Sequence, residues 1–434
     1  MSELIQPRIL KGFRDALPAE ETARALLVDK LTASFRSFGF VPIDTPALEY
    51  SEILLRKSDG ETEKQVFRFT DNGGRDVALR FDLTVPFARF VAAHKDELYF
   101  PFKRYHIAKV WRGEKPQAGR YREFFQCDFD IVGSDSEAVD FEILSLMKAS
   151  LSAIGVDKIT IKVSHRGIFN RFLSSRGLSD KSEDILRTVD KLAKIGADET
   201  ASLLAEIAGK DTAADILTYI QGAGNRPEDF EATLSLMEKM AGGPAEDTER
   251  MRKIRSLMEA VGIESSFVLD PSITRGLDYY TGIVYETFLN DLPEIGSVCS
   301  GGRYDNLAAL YAKERISGVG SSIGLDRLIT ALEKLGQTSG RAGFTEAVIF
   351  NTESTDMAAA QKAAATLRAR GIACEVYPDA KKMGAQYAWA EKKAVSWGIT
   401  LANGSLELKK LATRETETLA CPNCAAEKIL AGRD

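Results

Sequence analysis

The chain has 434 residues, 44% hydrophobic and 28% charged, a composition that excludes a disordered or low-complexity protein and favours two or three packed domains. Its 57 Lys and Arg against 63 Asp and Glu leave a net charge of −6, so no global basic field points to nucleic acid and any RNA contact must rest on local patches. Apolar runs fall short of the roughly 20 residues a bilayer-spanning helix needs, and MSELIQPRILKGFRDALP lacks a secretory apolar stretch, so a cytoplasmic protein with no membrane partner is expected.

Residues 1–165 form the first segment. Leu27, Leu31, Phe35 and Phe38 recur at helical spacing, and Gly39 stands where a left-handed C-cap closes such a helix. Pro42 and Pro46 then bracket an extended stretch. VALRFDLTV alternates strictly and predicts a strand, with Leu79, Phe81 and Leu83 on one face and Arg80, Asp82 and Thr84 on the other. A solvated sheet face explains that polar row, and so does the ammonium of a bound amino acid. FKRYHIAKVWRGEKPQAGRYREFFQCDFDIVG predicts a long hairpin with its tip near GEKPQAGR. On the return strand Glu123, Phe125, Cys127, Phe129 and Ile131 read as the core face. Phe124, Gln126, Asp128 and Asp130 share the other face, where buried polar groups require partners, a ligand being one. Arg112 ends the outgoing strand, and Glu114, Lys115, Arg120 and Arg122 populate the tip, either as a solvated turn or as a basic cluster with a target.

Residues 166–262 are dominated by helical runs such as SEDILRTVDKLAKIG and TERMRKIRSLMEAVG and read as an inserted helical module, with GGP at 242–244 as punctuation. Strands and Gly-rich turns return over 263–335, in TRGLDYYTGIVYETFL, SGGRYDNL and ISGVGSSIGLDRLITALE. Gly318, Gly320 and Gly324 there allow backbone to approach a ligand or a tightly packed neighbour, ahead of a helix carrying Arg327. The absence of GxxxxGK[ST] excludes a Walker-type phosphate loop. LGQTSGRAG has linker composition. Residues 343–434 alternate strand and helix and predict a small α/β domain, with 12 Lys and Arg against 11 Asp and Glu.

Five cysteines form an odd, sparse set that argues against a disulfide framework. Cys421 and Cys424 alone are closely spaced, as CPNC. Half a zinc site, a redox pair and a solvent-exposed turn are the readings; no second pair supplies the four ligands of structural zinc, and the exposed turn is the simplest. With three histidines in the chain, acid–base or nucleophilic chemistry built on histidine is not expected.

In their order along the chain, three of these strings resemble the signatures of class II aminoacyl-tRNA synthetases: FGFVPIDTPALEY after the first helix, the WRGE hairpin through to FDI, and GSSIGLDRL. RGLDYYTG and GGRYDNL narrow the resemblance to the histidyl-tRNA synthetases. It covers nearly the whole chain and is weakest after about Val395. The resemblance implies an α+β fold: a catalytic core with an antiparallel sheet flanked by helices over 1–165 and 263–335, a helical insertion at 166–262, and a C-terminal α/β anticodon-binding domain over 343–434. It implies a homodimer with Pro46 at the interface. It also implies activation of L-histidine by ATP to histidyl-adenylate, then transfer to the 3′ end of tRNA(His), with Mg²⁺ bound through the phosphates and no protein metal site.

By the same resemblance, Asp82 and Thr84, with Gln126, hold the substrate ammonium. Asp130 and Tyr280 bond the two imidazole nitrogens, with Tyr279 nearby and Tyr304 lining the pocket. Arg112 and Arg275 are the catalytic pair, both reaching the substrate carboxylate or the α-phosphate. Glu114 meets the adenine amino group, Phe124 stacks on the base, and Arg120 and Arg327 bind the outer phosphates beside Gly324. The chain departs from many bacterial members in carrying Phe81 and Asp82 where they have Pro-Glu, and SWGITLANG matches the family's C-terminal strand only approximately. Lys381, Lys382 or Gln386 is the expected anticodon contact, a solvated helix face being the simpler reading of each. Two rivals share the fold: a regulatory subunit of ATP phosphoribosyltransferase, and a tRNA-sensing pseudo-synthetase with broken ATP contacts. The first is disfavoured by the C-terminal domain and the intact RGLDYYTG, the second by Arg112, Glu114, Phe124 and Arg327.

Overall fold

The computed structural model describes residues 4–55, 63–116, 119–273, 279–305, 311, 315–337, 343–402 and 405–433. They form two compact units, Met1–Arg14 with Asp29–Gly336, and Asp15–Val28 with Gln337–Asp434. The grouping of Asp15–Val28 with the C-terminal residues differs from the contiguous segments expected from the sequence.

The strands of the first unit are β1 (Val41–Pro42), β2 (Leu48–Tyr50), β3 (Arg68–Thr70), β4 (Asp76–Leu79), β5 (Phe102–Trp111), β6 (Glu123–Val132), β7 (Ile159–His165), β8 (Phe267–Leu269), β9 (Ile283–Leu289), β10 (Cys299–Tyr304) and β11 (Gly318–Gly324). Eight of them make one sheet in the order β1-β5-β6-β11-β10-β9-β7-β8, and β2-β4-β3 make a smaller one. The six inner strands of the large sheet are antiparallel, while β1 and β8 add in parallel at its edges. The helices between Arg166 and Ala260 leave after β7 and return the chain at β8. Their apolar faces close on one another through Phe172, Ile185, Leu204, Ile216, Tyr219 and Met237, with the Phe172 and Tyr219 rings stacked 4.7 Å apart.

Local sequence accounts for the elements that build the site. The helix Pro18–Ser37 buries Leu31 and Phe35 completely, and Phe35 lies 5.5 Å from the Tyr105 ring and 5.1 Å from that of Phe129. Gly39 follows at φ 81°, the left-handed conformation expected of a helix-ending glycine. In β6 the core face forms as predicted, with Cys127, Phe129 and Ile131 fully buried. The opposite face is also covered, so Gln126, Asp128 and Asp130 are buried polar groups.

VALRFDLTV departs from prediction. The strand ends at Leu79, and Thr84 begins a helix that runs to Ala93. Pro86 lies in that helix's first turn, where its missing N–H is not needed. The alternation beyond Leu79 therefore reflects a tight strand-to-helix passage. Arg80 turns into the protein, donating from Nε to the Lys109 carbonyl at 3.0 Å and from Nη1 to that of Thr45. It is a strut for neighbouring backbone.

In the second unit β12 (Ala347–Ile349), β13 (Cys374–Val376), β14 (Trp397–Ala402), β15 (Ser405–Lys410) and β16 (Thr416–Leu419) form a sheet in the order β13-β12-β14-β15-β16. The first three strands are parallel, as the alternation of strands and helices requires. The helices Met357–Ala369 and Pro422–Ala431 pack through Ala360, Ala363, Ala364, Ala425 and Ala426, whose small side chains permit close approach. Lys381 and Lys382 are exposed, but Gln386 is fully buried. Its Oε1 accepts from Asn351 N at 2.9 Å and its Nε2 donates to the Lys381 carbonyl at 2.8 Å, so it holds a loop and is not a surface contact for RNA.

Candidate active site

Two adjoining cavities open on the large sheet of the first unit. The larger, about 240 Å³, is lined by Asp82, Thr84, Asp128, Tyr279, Tyr280, Tyr285, Glu286 and Gly301. The smaller, about 160 Å³, is lined by Glu114, Arg120, Tyr121, Phe124, Gly324, Asp326 and Arg327 among others. Arg112, Gln126, Ser300 and Ser322 line both and so stand at their junction.

The two cavities carry opposite charge. In the smaller, burial and then the Arg120 and Arg112 guanidiniums pull Arg327 below its ordinary value. Three cations that disfavour one another in a partly buried site call for a polyanion. Arg327 is held by donating from Nη1 to the Ser297 carbonyl. Its helix, Leu325–Lys334, is tied to the hairpin through Asp326, whose carboxylate accepts from Phe125 N at 2.6 Å and from Arg14 Nη2 at 2.8 Å. Arg112 donates from Nε to the Phe81 carbonyl at 2.9 Å and lies 5.2 Å from the Phe124 ring centroid. A Cβ added at Gly324 would meet nothing nearer than 3.8 Å, so its open space is not filled by protein.

The larger cavity is anionic. Burial pushes the Asp82 carboxyl up to about 6, against the opposing pull of Val85 N–H and the Arg112 charge. Val85 N donates to Asp82 Oδ1 at 3.1 Å, and Tyr279 Oη lies 3.4 Å from Oδ2. Burial likewise pushes Asp128 up to about 7; Arg104 works against this, and the nearby Asp130 and Asp82 charges add to it. Gln126 donates from Nε2 to Ser322 Oγ at 2.7 Å. Asp128 Oδ1 and Gln126 Oε1 are buried acceptors with no hydrogen-bond partner among the described residues. Such atoms carry a desolvation cost of roughly 1–3 kcal/mol each until a donor arrives. The site is therefore short of donors and short of positive charge.

A family model described as histidyl-tRNA synthetase matches residues 12–328. The chain belongs to the histidyl-tRNA synthetase family. A second model, described as an anticodon binding domain, matches residues 346–427. The chain is 66% identical to the histidine–tRNA ligase of Treponema denticola over 407 residues, 93% of this chain and 91% of the relative. It is 56% identical to that of Treponema pallidum over 425 residues, 96% of each chain. The crystal structure of histidyl-tRNA synthetase from Nostoc sp. PCC 7120 superposes with a TM-score of 0.88 at 28% identity, covering 99% of this chain and 100% of that one.

Of the residues expected to serve a histidyl-tRNA synthetase, Asp82, Thr84, Arg112, Gln126, Tyr279 and Tyr280 meet at the larger cavity, and Arg112, Glu114, Arg120, Phe124, Gly324 and Arg327 at the smaller. Arg275 lies outside the described residues. Asp130 and Tyr304 depart from expectation. Asp130 Oδ2 lies 2.6 Å from Arg104 Nη2, and its Oδ1 accepts from Tyr304 Oη at 2.6 Å. The cross-strand register explains this: Arg104 on β5 faces Asp130 on β6, while Ser322 on β11 faces Asp128. Fully buried and 4.2 Å from the Phe87 ring centroid, Arg104 requires an anion, and Asp130 supplies it. Of these two aspartates on β6, Asp128 is the one that lines the cavity, together with Asp82 and Glu286.

Gly318 and Gly320 also have a structural cause. A Cβ on Gly320 would lie 1.9 Å from Asp130 Oδ1, and one on Gly318 would lie 2.4 Å from the Tyr304 ring. These glycines make room for protein side chains and not for a ligand. Sequence reasoning missed Arg104, Ser322 and Tyr285, the last donating from Oη to the Gly320 carbonyl at 2.7 Å. Of these, only Arg104 carried a usable signal, a charge on the strand that pairs with the acidic β6.

Proposed function

We propose that the chain activates histidine with ATP to histidyl-adenylate and transfers histidine to the 3′ end of tRNA(His). One observation carries the reading: an acidic cavity with orphaned acceptors adjoins a cavity lined by converging arginines, and Arg112 stands at their boundary. Histidine brings an ammonium and a ring N–H to the first. ATP brings phosphates to the second. The carboxylate and the α-phosphate then meet at Arg112.

Asp82, Thr84 and Gln126 hold the ammonium in this reading. Asp128 and Tyr280 bond the ring nitrogens, while Asp130, Arg104 and Tyr304 form the buried support behind Asp128. A ligand lacking the ring N–H leaves Asp128 unpaired, the kind of loss that discriminates by about 10⁴-fold. Glu114 and Phe124 receive the adenine, and Arg120 and Arg327 the outer phosphates.

The histidine carboxylate, already ionised at pH 7, attacks the α-phosphorus; an O–P bond forms, and the bond to the β-phosphate oxygen breaks as pyrophosphate leaves. No protein base is needed. Consistent with this, burial pushes the imidazoles of His106 and His165 down to about 4, and no histidine lines either cavity. The protein's contribution is orientation and stabilisation of phosphate charge, by Arg112 with Arg275, each donor being worth roughly 3 kcal/mol of barrier. Among the described residues no group of three or more His, Cys, Asp or Glu could hold a metal ion. Mg²⁺ would enter with ATP and offset the charge of its phosphates.

A homodimer is supported by the outer face of the small sheet, where Leu48, Tyr50 and Phe69 are exposed on paired strands. We assign catalysis to 1–165 and 263–335, the helical insertion to 166–262 and anticodon binding to 343–434, with Lys381 and Lys382 as exposed contacts. A cytoplasmic location accords with the lack, among the described residues, of a helix long and apolar enough to cross a membrane.

Amino-acid-dependent ATP–pyrophosphate exchange tests the function directly. Exchange is expected with histidine and with no other standard amino acid. No exchange with any of them would make the chain a binding module, and exchange with a different one would move its specificity.

A further inference from the structure

CPNC lies outside both cavities and outside the function proposed above. Cys421 is the N-cap of the helix Pro422–Ala431, in extended conformation at φ −156° and ψ 158°. Its Sγ accepts from Cys424 N at 3.3 Å, which folds that sulfur back over the first helical turn. Pro422 fixes the backbone at the first helical position, where proline is pre-organised. Both cysteines are free thiols and half-exposed, while Cys127, Cys299 and Cys374 are buried. Two accessible sulfurs are thus turned toward each other at a rigid helix start.

We propose that Cys421 and Cys424 are a site of reversible thiol–disulfide exchange, with Cys421 as the attacking sulfur and Cys424 as the resolving one. The hydrogen bonds that Cys424 donates to it, from side chain and backbone, lower the Cys421 thiol from its ordinary value, and the same contact raises Cys424. Burial does the opposite elsewhere: it pushes Cys127 well up, Cys299 up to about 12 and Cys374 up to about 11. One sulfur of the five therefore combines access with thiolate character.

The exchange balances with a low-molecular-weight disulfide as oxidant. The Cys421 thiolate attacks one sulfur of that disulfide, forming a mixed disulfide and releasing a thiolate that takes up a proton. Cys424 loses its proton and attacks the Cys421 sulfur, forming the internal disulfide and releasing the second small thiol. One external disulfide becomes two thiols, and two protein thiols become one disulfide. Because the helix N-terminus and Cys424 stabilise the reduced form's thiolate, the pair is expected to be readily reduced, a reporter of disulfide stress more than a permanent link.

The test equilibrates the full chain in mixtures of oxidised and reduced glutathione and reads cysteine states by peptide mass. The expected result is loss of two hydrogens from the peptide holding Cys421 and Cys424, restored by excess reduced glutathione, with Cys127, Cys299 and Cys374 still free. Cys424→Ser should stop at a glutathione adduct on Cys421. Independently of any variant, the rate at which iodoacetamide alkylates Cys421 should rise with an inflection below the ordinary thiol value of about 8.5. Free thiols at every glutathione ratio would overturn the proposal, as would a disulfide formed only between chains or an ordinary alkylation profile at Cys421.

Discussion

Asp128→Asn removes a charge and almost no volume from the larger cavity. Burial holds this carboxyl up to about 7 from an ordinary 3.8, so ionising it in the empty folded site costs on the order of 4 kcal/mol. Below pH 4 the group is neutral in folded and unfolded chains and the cost is nil. As pH rises from 4 to 7 the unfolded chain releases the proton while the folded one still holds it, and folded stability falls. Above 7 the full cost is present. Asparagine carries none of it, so the ligand-free variant should be more stable than the parent at pH 8, with the difference shrinking as pH falls through 7 and gone near 4. Readjustment of Asp82 and Asp130 should reduce the visible gain to roughly 1–3 kcal/mol, at about 2 °C of unfolding temperature per kcal/mol. The same change removes a charge-assisted bond to histidine worth about 1.5–3 kcal/mol, so kcat/KM for histidine should fall roughly 10- to 150-fold with the KM for ATP little altered. Thermal unfolding at pH 8 and pH 5, with pyrophosphate exchange at pH 8, reads both effects. An unchanged histidine KM would refute the reasoning, most clearly if Asp130→Asn raised it instead.

Arg104→Leu should destabilise the first unit by about 3–5 kcal/mol, because it leaves Asp130 buried without its cation; urea unfolding measures this, and an unchanged midpoint would show that the pair contributes nothing. Arg327→Gln should raise the KM for ATP about 10-fold or more while leaving that for histidine close to the parent value, since only the smaller cavity includes Arg327; steady-state exchange kinetics separate the two. Arg275→Ala should lower kcat roughly 100-fold or more with little change in either KM, and a loss confined to KM would remove it from the catalytic pair.

Alternation along β6 was enough to identify one apolar and one polar face, and the ordered signatures were enough to identify the family before any contact was known. The choice between Asp128 and Asp130 was not available from that pattern. Residues two apart on a strand share a face, and only the register against β5 decides which of them meets the Arg104 guanidinium. Gly318 and Gly320 raise the same difficulty, because a glycine records that something lies close without saying whether it is ligand or side chain. VALRFDLTV misled because a four-residue strand followed by a bend into a helix preserves the period of a longer strand. Gln386 looked like a surface amide because its helix reads as solvated, yet it closes a loop from inside.

The strand order has a consequence for synthesis of the protein. β6 ends at Val132, but the neighbour that covers its free edge, β11, begins only at Gly318. At about 5–20 residues per second, a ribosome leaves that edge open for roughly 10–40 s. An uncovered strand carrying buried-type residues is a template for pairing with another chain. The nascent protein is therefore most vulnerable to aggregation while its helical segment is being made, and truncated products ending there should depend on chaperones in a way the finished enzyme does not.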